Sequence, residues 1–170
     1  MPLRIERATL EDLQAIASVT VKSWQTTFQD ILPISFLSSL TVESQLQRHQ
    51  KIFTSSGVFY YVAKHVDEIV GFSSGGPNRN CSFDVPSELY GLYLLEDWQG
   101  KGWGRSLFTM LAAQLQVPSR LGLTALVLSN NPHRDFYERL GGLRQVAQPI
   151  ELGGRLWKVE SFTWHESLRC

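Results

Sequence analysis

Leu92-Tyr-Leu-Leu-Glu-Asp-Trp-Gln99-Gly-Lys-Gly102-Trp-Gly104-Arg-Ser-Leu-Phe108 is the stretch on which the fold turns. An apolar strand runs into glycines at 100, 102 and 104, and these open directly into an amphipathic helix. Such a turn leaves successive backbone N–H groups unpaired at a helix N-terminus, where the macrodipole adds partial positive charge. Without Cβ atoms at Gly100, Gly102 and Gly104, a ligand can come close to the backbone. The combination suits an anion, above all a phosphate or pyrophosphate.

Three phosphate-binding designs compete for this turn. A Walker A loop needs G-x-x-x-x-G-K-S/T, which the chain lacks. A Rossmann turn needs G-x-G-x-x-G, but counting from Gly102 puts Leu107 in the place of the third glycine. An apolar run at 123–128 also stands where the ribose-binding acid belongs. Gln99-x-x-Gly102-x-Gly104 fits the third design, Q/R-x-x-G-x-G/A. It resembles the acetyl-CoA signature of the GNAT superfamily of N-acyltransferases. The plain alternative is a glycine-rich turn that holds no ligand.

Two further segments carry the same resemblance. Asn131-Pro-His-Arg-Asp-Phe-Tyr137-Glu-Arg-Leu-Gly141-Gly142 is similar to the N-P-x-R-x-F-Y-E-x-L-G-G element of many bacterial GNAT proteins. Trp24-Gln-Thr-Thr-Phe28-Gln-Asp-Ile-Leu32-Pro33 resembles the W-x-x-x-Y/F-x-x-x-L-P element of one bacterial branch, as does Gly76-Pro-Asn-Arg79. The elements follow the family's order over nearly the whole chain. Two positions depart from it: Glu96 replaces the proline that often ends the central strand, and Gly142 the aromatic that often follows Leu-Gly.

Composition sets the outer bounds. A chain of 170 residues with 43% apolar and 19% charged residues reads as one globular domain, residues 1–170. Sixteen basic residues balance sixteen acidic ones, so no net field draws in nucleic acid or an anionic membrane. The N-terminus lacks an apolar signal core and no apolar run is long enough to span a bilayer, which points to the cytoplasm. Cys81 and Cys170 make no disulfide framework, and His49, His65, His133 and His165 show no metal-ligand spacing, so no metal is expected.

Along the chain, residues 3–8 alternate as a strand. Thr9 and Asp12 form a shortened capping box before a helix ending near Lys22. A loop at 28–32 precedes helices at 34–40 and 42–53, the second capped by Thr41. Strands follow at 58–63, 69–73 and 88–95, then a helix at 103–117 and a fully apolar strand at 123–129. Asn131 should cap a short helix with Pro132 at its first position and Gly141 at its end. A hairpin at 143–152 and 155–164 turns across Gly153-Gly154. The expected architecture is α/β: about seven mostly antiparallel strands, with central strands 4 and 5 parallel, and flanking helices. The resemblance implies the same GNAT fold.

The resemblance also implies a site. In the family, strands 4 and 5 diverge, and the freed backbone of strand 4 pairs with pantetheine; by position Leu92 and Leu94 supply those contacts. Gln99, Gly100, Lys101, Gly102, Trp103, Gly104 and Arg105 form the phosphate turn, with Lys101 and Arg105 near the 3′-phosphate and Asn131 near pantetheine. Tyr137 is the candidate general acid for the departing thiolate; its plain alternative is helix packing, which suits Phe136 better. An amine acceptor of reference pKa ~10.4 must shed a proton before attack. Glu88, eleven residues before Gln99, stands at the spacing where some family members carry a glutamate base. Its parity with Leu92 and Leu94 predicts one shared side of the sheet. Water is the other route for the proton, and Asp84 and Tyr90 are lesser candidates. Trp24 and Phe28 either frame the acceptor slot or pack the first helix. The implied reaction is acetyl transfer from acetyl-CoA to a primary amine of a small molecule or protein, with a homodimer left open. A CoA-binding sensor without turnover is the reading from another class.

Overall fold

The computed structural model describes residues 2–80, 85–116 and 122–165. Its strands are β1 (Arg4–Arg7), β2 (Phe59–His65), β3 (Glu68–Pro77), β4 (Ser87–Leu94), β5 (Leu123–Leu128), β6 (Leu143–Leu152) and β7 (Arg155–Trp164). They form one sheet in the order β1-β2-β3-β4-β5-β7-β6. Each neighbouring pair is antiparallel except β4 and β5, which run parallel. The helices are α1 (Leu13–Thr27), α2 (Ile34–Ser39), α3 (Val42–Phe53), α4 (Trp103–Gln116) and α5 (Asp135–Arg139). The mixed sheet anticipated from the sequence is therefore present. Among the described residues no helix is long and apolar enough to cross a membrane.

Burial on both faces explains why β5 is apolar except at Thr124, whose hydroxyl pairs with that of Thr163. Leu123, Ala125 and Val127 join Leu107, Phe108 and Leu111 of α4 in one core. Leu128 turns the other way, into a core with Phe28, Leu37 and Trp157. A third core sets Leu13, Ile16 and Val19 of α1 against Tyr60, Val62 and Phe72. Helix α4 thus covers one face of the sheet, and α1 with α3 the other. Fully burying one such side chain contributes about 1.5–3 kcal/mol.

Three boundaries differ from expectation, each for a local reason. Helix α1 continues to Thr27, because Trp24 and Phe28 extend its apolar stripe as a contacting pair four residues apart, ring centroids 4.9 Å apart. Strand β3 continues through Gly75 to Pro77; a Cβ on Gly75 would stand 2.7 Å from the Glu88 carbonyl oxygen, so only glycine lets the two strands approach this closely. Helix α5 starts at Asp135 and not at Pro132. Asn131 spends its side chain on an Asx turn, accepting from the His133 N–H at 2.8 Å.

Strand β4 carries the correction that matters most. Leu89 pairs with Gly75 and Gly91 with Ser74, so Tyr90 is an extra residue, a β-bulge. A bulge resets the two-residue alternation. Leu89, Leu92 and Leu94 consequently all face α4, and Glu88, next to Leu89, faces α1 and α3 instead. The expected common side for Glu88, Leu92 and Leu94 is wrong because the sequence pattern has no mark for the inserted residue.

Candidate active site

Strands β4 and β5 pair over only three residues, Ser87 to Leu89 against Leu123 to Ala125. Beyond that point β4 keeps β3, through Leu92 with Ser73 and Leu94 with Gly71. Strand β5 keeps β7, through Leu126 with Ser161 and Leu128 with Val159. The two strands part, and the β5-facing edge of residues 90–94 has no ladder partner. Backbone groups of Leu92 and Leu94 lie on this stretch, where an extended amide-bearing ligand can add to the sheet edge.

At the wide end of the opening stands the glycine turn. The Gln99 side-chain amide donates to the Leu94 carbonyl at 2.9 Å and ties the turn to the end of β4. Gly100 and Gly102 have φ of +70° and +88°, and a Cβ at either would meet nothing within 4 Å. The glycines serve the backbone conformation, and the space over them is open. Ser106 N–H makes the first helical bond, to the Gly102 carbonyl at 3.2 Å. The N–H groups of Trp103, Gly104 and Arg105 therefore precede any intrahelical acceptor. This open, donor-rich cradle fits a pyrophosphate. Gly104 has a packing role as well, since a Cβ there would touch the Phe136 ring at 3.4 Å. Lys101 donates to the Asp97 carbonyl at 2.8 Å, and Arg105 is exposed.

Tyr137 is delivered by the way α5 ends. Gly141 N–H donates to the Glu138 carbonyl (2.9 Å) and Gly142 N–H to the Tyr137 carbonyl (3.1 Å), a Schellman closure with Gly141 at φ +90°. A Cβ on Gly142 would meet the Trp164 ring at 2.8 Å, which explains why this chain has no aromatic there. The Tyr137 ring packs on Phe136, Phe162 and Trp164. Its hydroxyl has no hydrogen-bond partner among the described residues. Burial pushes the phenol pKa well above its ordinary value, and the neighbouring Tyr93 phenol adds to that push. The phenol is thus held protonated.

A polar, aromatic cleft opens on the other face of β4. Trp24 Nε1 donates to the Tyr93 hydroxyl at 3.0 Å, linking α1 to the free stretch of β4. Phe28 is buried with Leu32, Leu37 and Trp157 and is a packing residue. Glu88 is 3% exposed, and both its oxygens are engaged by Arg79. The Arg79 backbone N–H, Nε and Nη2 donate to them at 2.9, 3.1 and 2.9 Å. Burial pulls the Arg79 pKa down, but the Glu88 hydrogen bonds and charge outweigh it and keep the guanidinium ionised. Arg79 also lies 3.8 Å from the Tyr90 ring centroid. Behind them, Thr20 donates to the Ile16 carbonyl and so accepts from His49 Nε2–H at 3.0 Å. His49 Nδ1 in turn accepts from the Tyr60 hydroxyl at 2.9 Å. Burial first, and the Arg48 charge second, lower the His49 pKa to about 4.

Leu92, Leu94 and Tyr137 thus share one core, and Gln99 ties the glycine turn to the end of β4. Glu88 is on the opposite face, paired with Arg79, Asn131 is in its turn, and Asp84 lies outside the described residues. Of the cleft-lining residues Tyr93, Arg79, Arg48 and His49, only Arg79, within the Gly76-Pro-Asn-Arg79 element, has a local signal in the sequence.

Known proteins share this fold. The family model described as acetyltransferase (GNAT) domain matches residues 56–141. An uncharacterized N-acetyltransferase of Bacillus subtilis (strain 168), YuaI, is 32% identical over 160 residues, covering 94% of this chain and 91% of that protein. Among solved structures, the PaiA N-acetyltransferase of Thermoplasma acidophilum in complex with coenzyme A superimposes with a TM-score of 0.72 at 18% identity, covering 96% of this chain and all (100%) of that one. YncA of Salmonella typhimurium with its cofactor acetyl-CoA gives 0.72 at 18% identity, covering 99% and 96%. At that identity, the two structures establish a shared fold.

Proposed function

The chain belongs to the GNAT family of acetyltransferases, whose co-substrate is acetyl-CoA, and from that premise we propose that it acetylates a primary amine by direct attack in a ternary complex. One observation carries the reading: β4 loses β5 after Leu89, and its free edge leads into the glycine turn, while Tyr137 packs against the core that holds Leu92 and Leu94. In this reading the whole chain acts as one domain. The N–H groups of residues 100–105 hold the pyrophosphate, with Lys101 and Arg105 toward the 3′-phosphate. The edge at Leu92 and Leu94 pairs with the pantetheine amides, and Asn131 lies near them. A backbone N–H on that edge polarises the thioester carbonyl, a contribution of about 3 kcal/mol for a preorganised donor.

The neutral amine attacks the carbonyl carbon, the C–S bond breaks, and the thiolate takes the Tyr137 phenolic proton. A buried phenolate is as costly as a buried thiolate. The proton that the amine loses therefore returns through water to the Tyr137 oxygen, so neither anion is left in the dry gap. Both Glu88 oxygens are taken up by three hydrogen bonds from Arg79, so Glu88 is assigned to positioning Arg79. Trp24 lines the acceptor side through its bond to Tyr93.

Thiol release from acetyl-CoA in the presence of amines tests the reaction, and Tyr137→Phe tests the acid. General acid groups contribute roughly 10²–10⁴-fold, so kcat should fall at least about tenfold while the thermal shift induced by acetyl-CoA stays. Wild-type turnover in the variant would reduce Tyr137 to packing.

A further inference from the structure

The cleft on the α1/α3 face has a composition that selects a class of acceptor. Trp24, Tyr60 and Tyr93 give it aromatic walls, Arg48 and Arg79 give it two guanidinium groups, and no aspartate or glutamate lines it among the described residues. Glu88, the carboxylate bound to Arg79 of the cleft, is engaged by that bidentate pairing. Arg48 has no ion pair among the described residues, although its charge reaches the cleft strongly enough to affect His49, Tyr60 and Tyr93. His49 adds no negative charge and offers no free nitrogen: one ring nitrogen is bonded to Thr20 and the other to Tyr60.

A cationic, aromatic cleft with no free acid repels a polyamine, in which every site beyond the reacting nitrogen is also cationic. It attracts an anion. Guanidinium groups match carboxylates in both charge and shape. Arg79 is already preorganised, gripped by Glu88 on one side and stacked on Tyr90 at 3.8 Å. Tyr90, Gly91 and Tyr93 lie on the stretch of β4 that β5 has left, so a ligand seated here has its reactive end at the gap facing Tyr137.

We propose that this cleft is the acceptor subsite and that the acceptor is a small primary amine carrying an oxyanion, in its simplest form an amino carboxylate. Its anion rests on Arg48, with Arg79 beside it, and its amine points to the free edge of β4 near Tyr93. The inference builds on the acetyltransferase reading, and the test keeps the two apart. Dissociation constants are measured with CoA bound, so that no chemistry enters, for phenylalanine, phenylalanine amide, phenethylamine and spermidine. Phenylalanine should bind about tenfold or more tightly than its amide or phenethylamine, as expected for a charge-assisted contact. Spermidine should bind most weakly, and Arg48→Gln should erase the advantage of the carboxylate. Equal or tighter binding of the carboxylate-free or polycationic amines would overturn the proposal, as would an advantage that survives Arg48→Gln. Failure of every amine to bind a protein whose CoA-induced thermal shift is intact would overturn it too. Loss of that shift would instead strike the acetyltransferase reading itself.

Discussion

The two sides of the free stretch of β4 are built by different means. On the α4 side, the glycine turn, the end of β4 and the start of α4 come from one continuous run, residues 92–108, and present mainly backbone donors. On the α1/α3 side, the cleft gathers Trp24 from α1, Arg48 and His49 from α3, Tyr60 from β2 and Tyr93 from β4, with Arg79 from just beyond β3. It presents mainly side chains. A backbone site made by local sequence suits a ligand that stays the same from one protein to the next. A side-chain site assembled from distant segments can be changed one residue at a time. In the proposed reading the co-substrate belongs to the first kind and the acceptor to the second.

The largest effect is expected of Gly102→Val. Gly102 has φ +88° with open space over its Cβ position, so valine adds both left-handed strain and a branched side chain where the pyrophosphate is to sit. The acetyl-CoA thermal shift should vanish, which means an affinity loss of about a hundredfold or more. A wild-type shift corresponds to ~2.7 kcal/mol at a hundredfold excess over Kd. Amino carboxylates should still protect the variant from unfolding at high concentration, because their cleft lies on the other face. Retention of the acetyl-CoA shift in folded Gly102→Val would remove the turn from the co-substrate site.

A second prediction concerns the acceptor side alone. His49 has its pKa lowered to about 4 in the folded chain, against 6.5 for the free group. Between these values the unfolded chain binds a proton that the folded chain does not, so stability rises with pH across the window and falls on acidification. The slope is at most about 1.4 kcal/mol per pH unit. It should appear in urea unfolding between pH 6.5 and 4 and flatten in His49→Gln. Carboxylates such as Asp12, lowered below their ordinary range by the Thr9 and Lys64 hydrogen bonds despite the opposing effect of burial, lose their contribution only at lower pH. An identical slope in the variant would place the proton uptake elsewhere.

The same division explains what could be read in the sequence. The glycine turn, the hairpin across Gly153-Gly154, the two-sided burial of β5 and the Tyr137 helix each have a periodic or turn signal within a dozen or so residues. The bulge at Tyr90 has none: an inserted residue costs the pattern nothing until the partner strand is known, yet it sends Glu88 to the face opposite Leu92. Tyr93 looked like one more apolar strand position. Its bond from Trp24, 69 residues away, exists only in three dimensions. Arg48 and His49 sat in a helix whose pattern gave no reason to separate them from surface charge. Phe28 shows the reverse limit, since an aromatic in a functional-looking element turned out to be core.

Glu88→Gln probes the smallest effect and the finest point of the comparison. Its carboxylate accepts three hydrogen bonds from Arg79, whose own side chain remains 46% exposed. Glutamine keeps the volume and one acceptor oxygen but loses the charge, so Arg79 should loosen without leaving. A half-exposed pair of this kind contributes on the order of 0.5–1 kcal/mol, which sets the expected change in acceptor KM at about two- to fivefold. If Glu88 only positions Arg79, the acidic limb of the kcat/KM profile stays where it is with acetyl-CoA saturating, and kcat is little changed. If Glu88 itself took the amine proton, kcat/KM would fall by a factor typical of a lost base, roughly 10²–10⁴, and the acidic limb would move toward the pKa of the amine. That outcome would return the base role to Glu88 and require Arg79 to swing away when the acceptor binds. The bidentate pairing in the structure points to the first result, because both carboxylate oxygens already accept from Arg79 and the amine would have to compete with that fork to reach them.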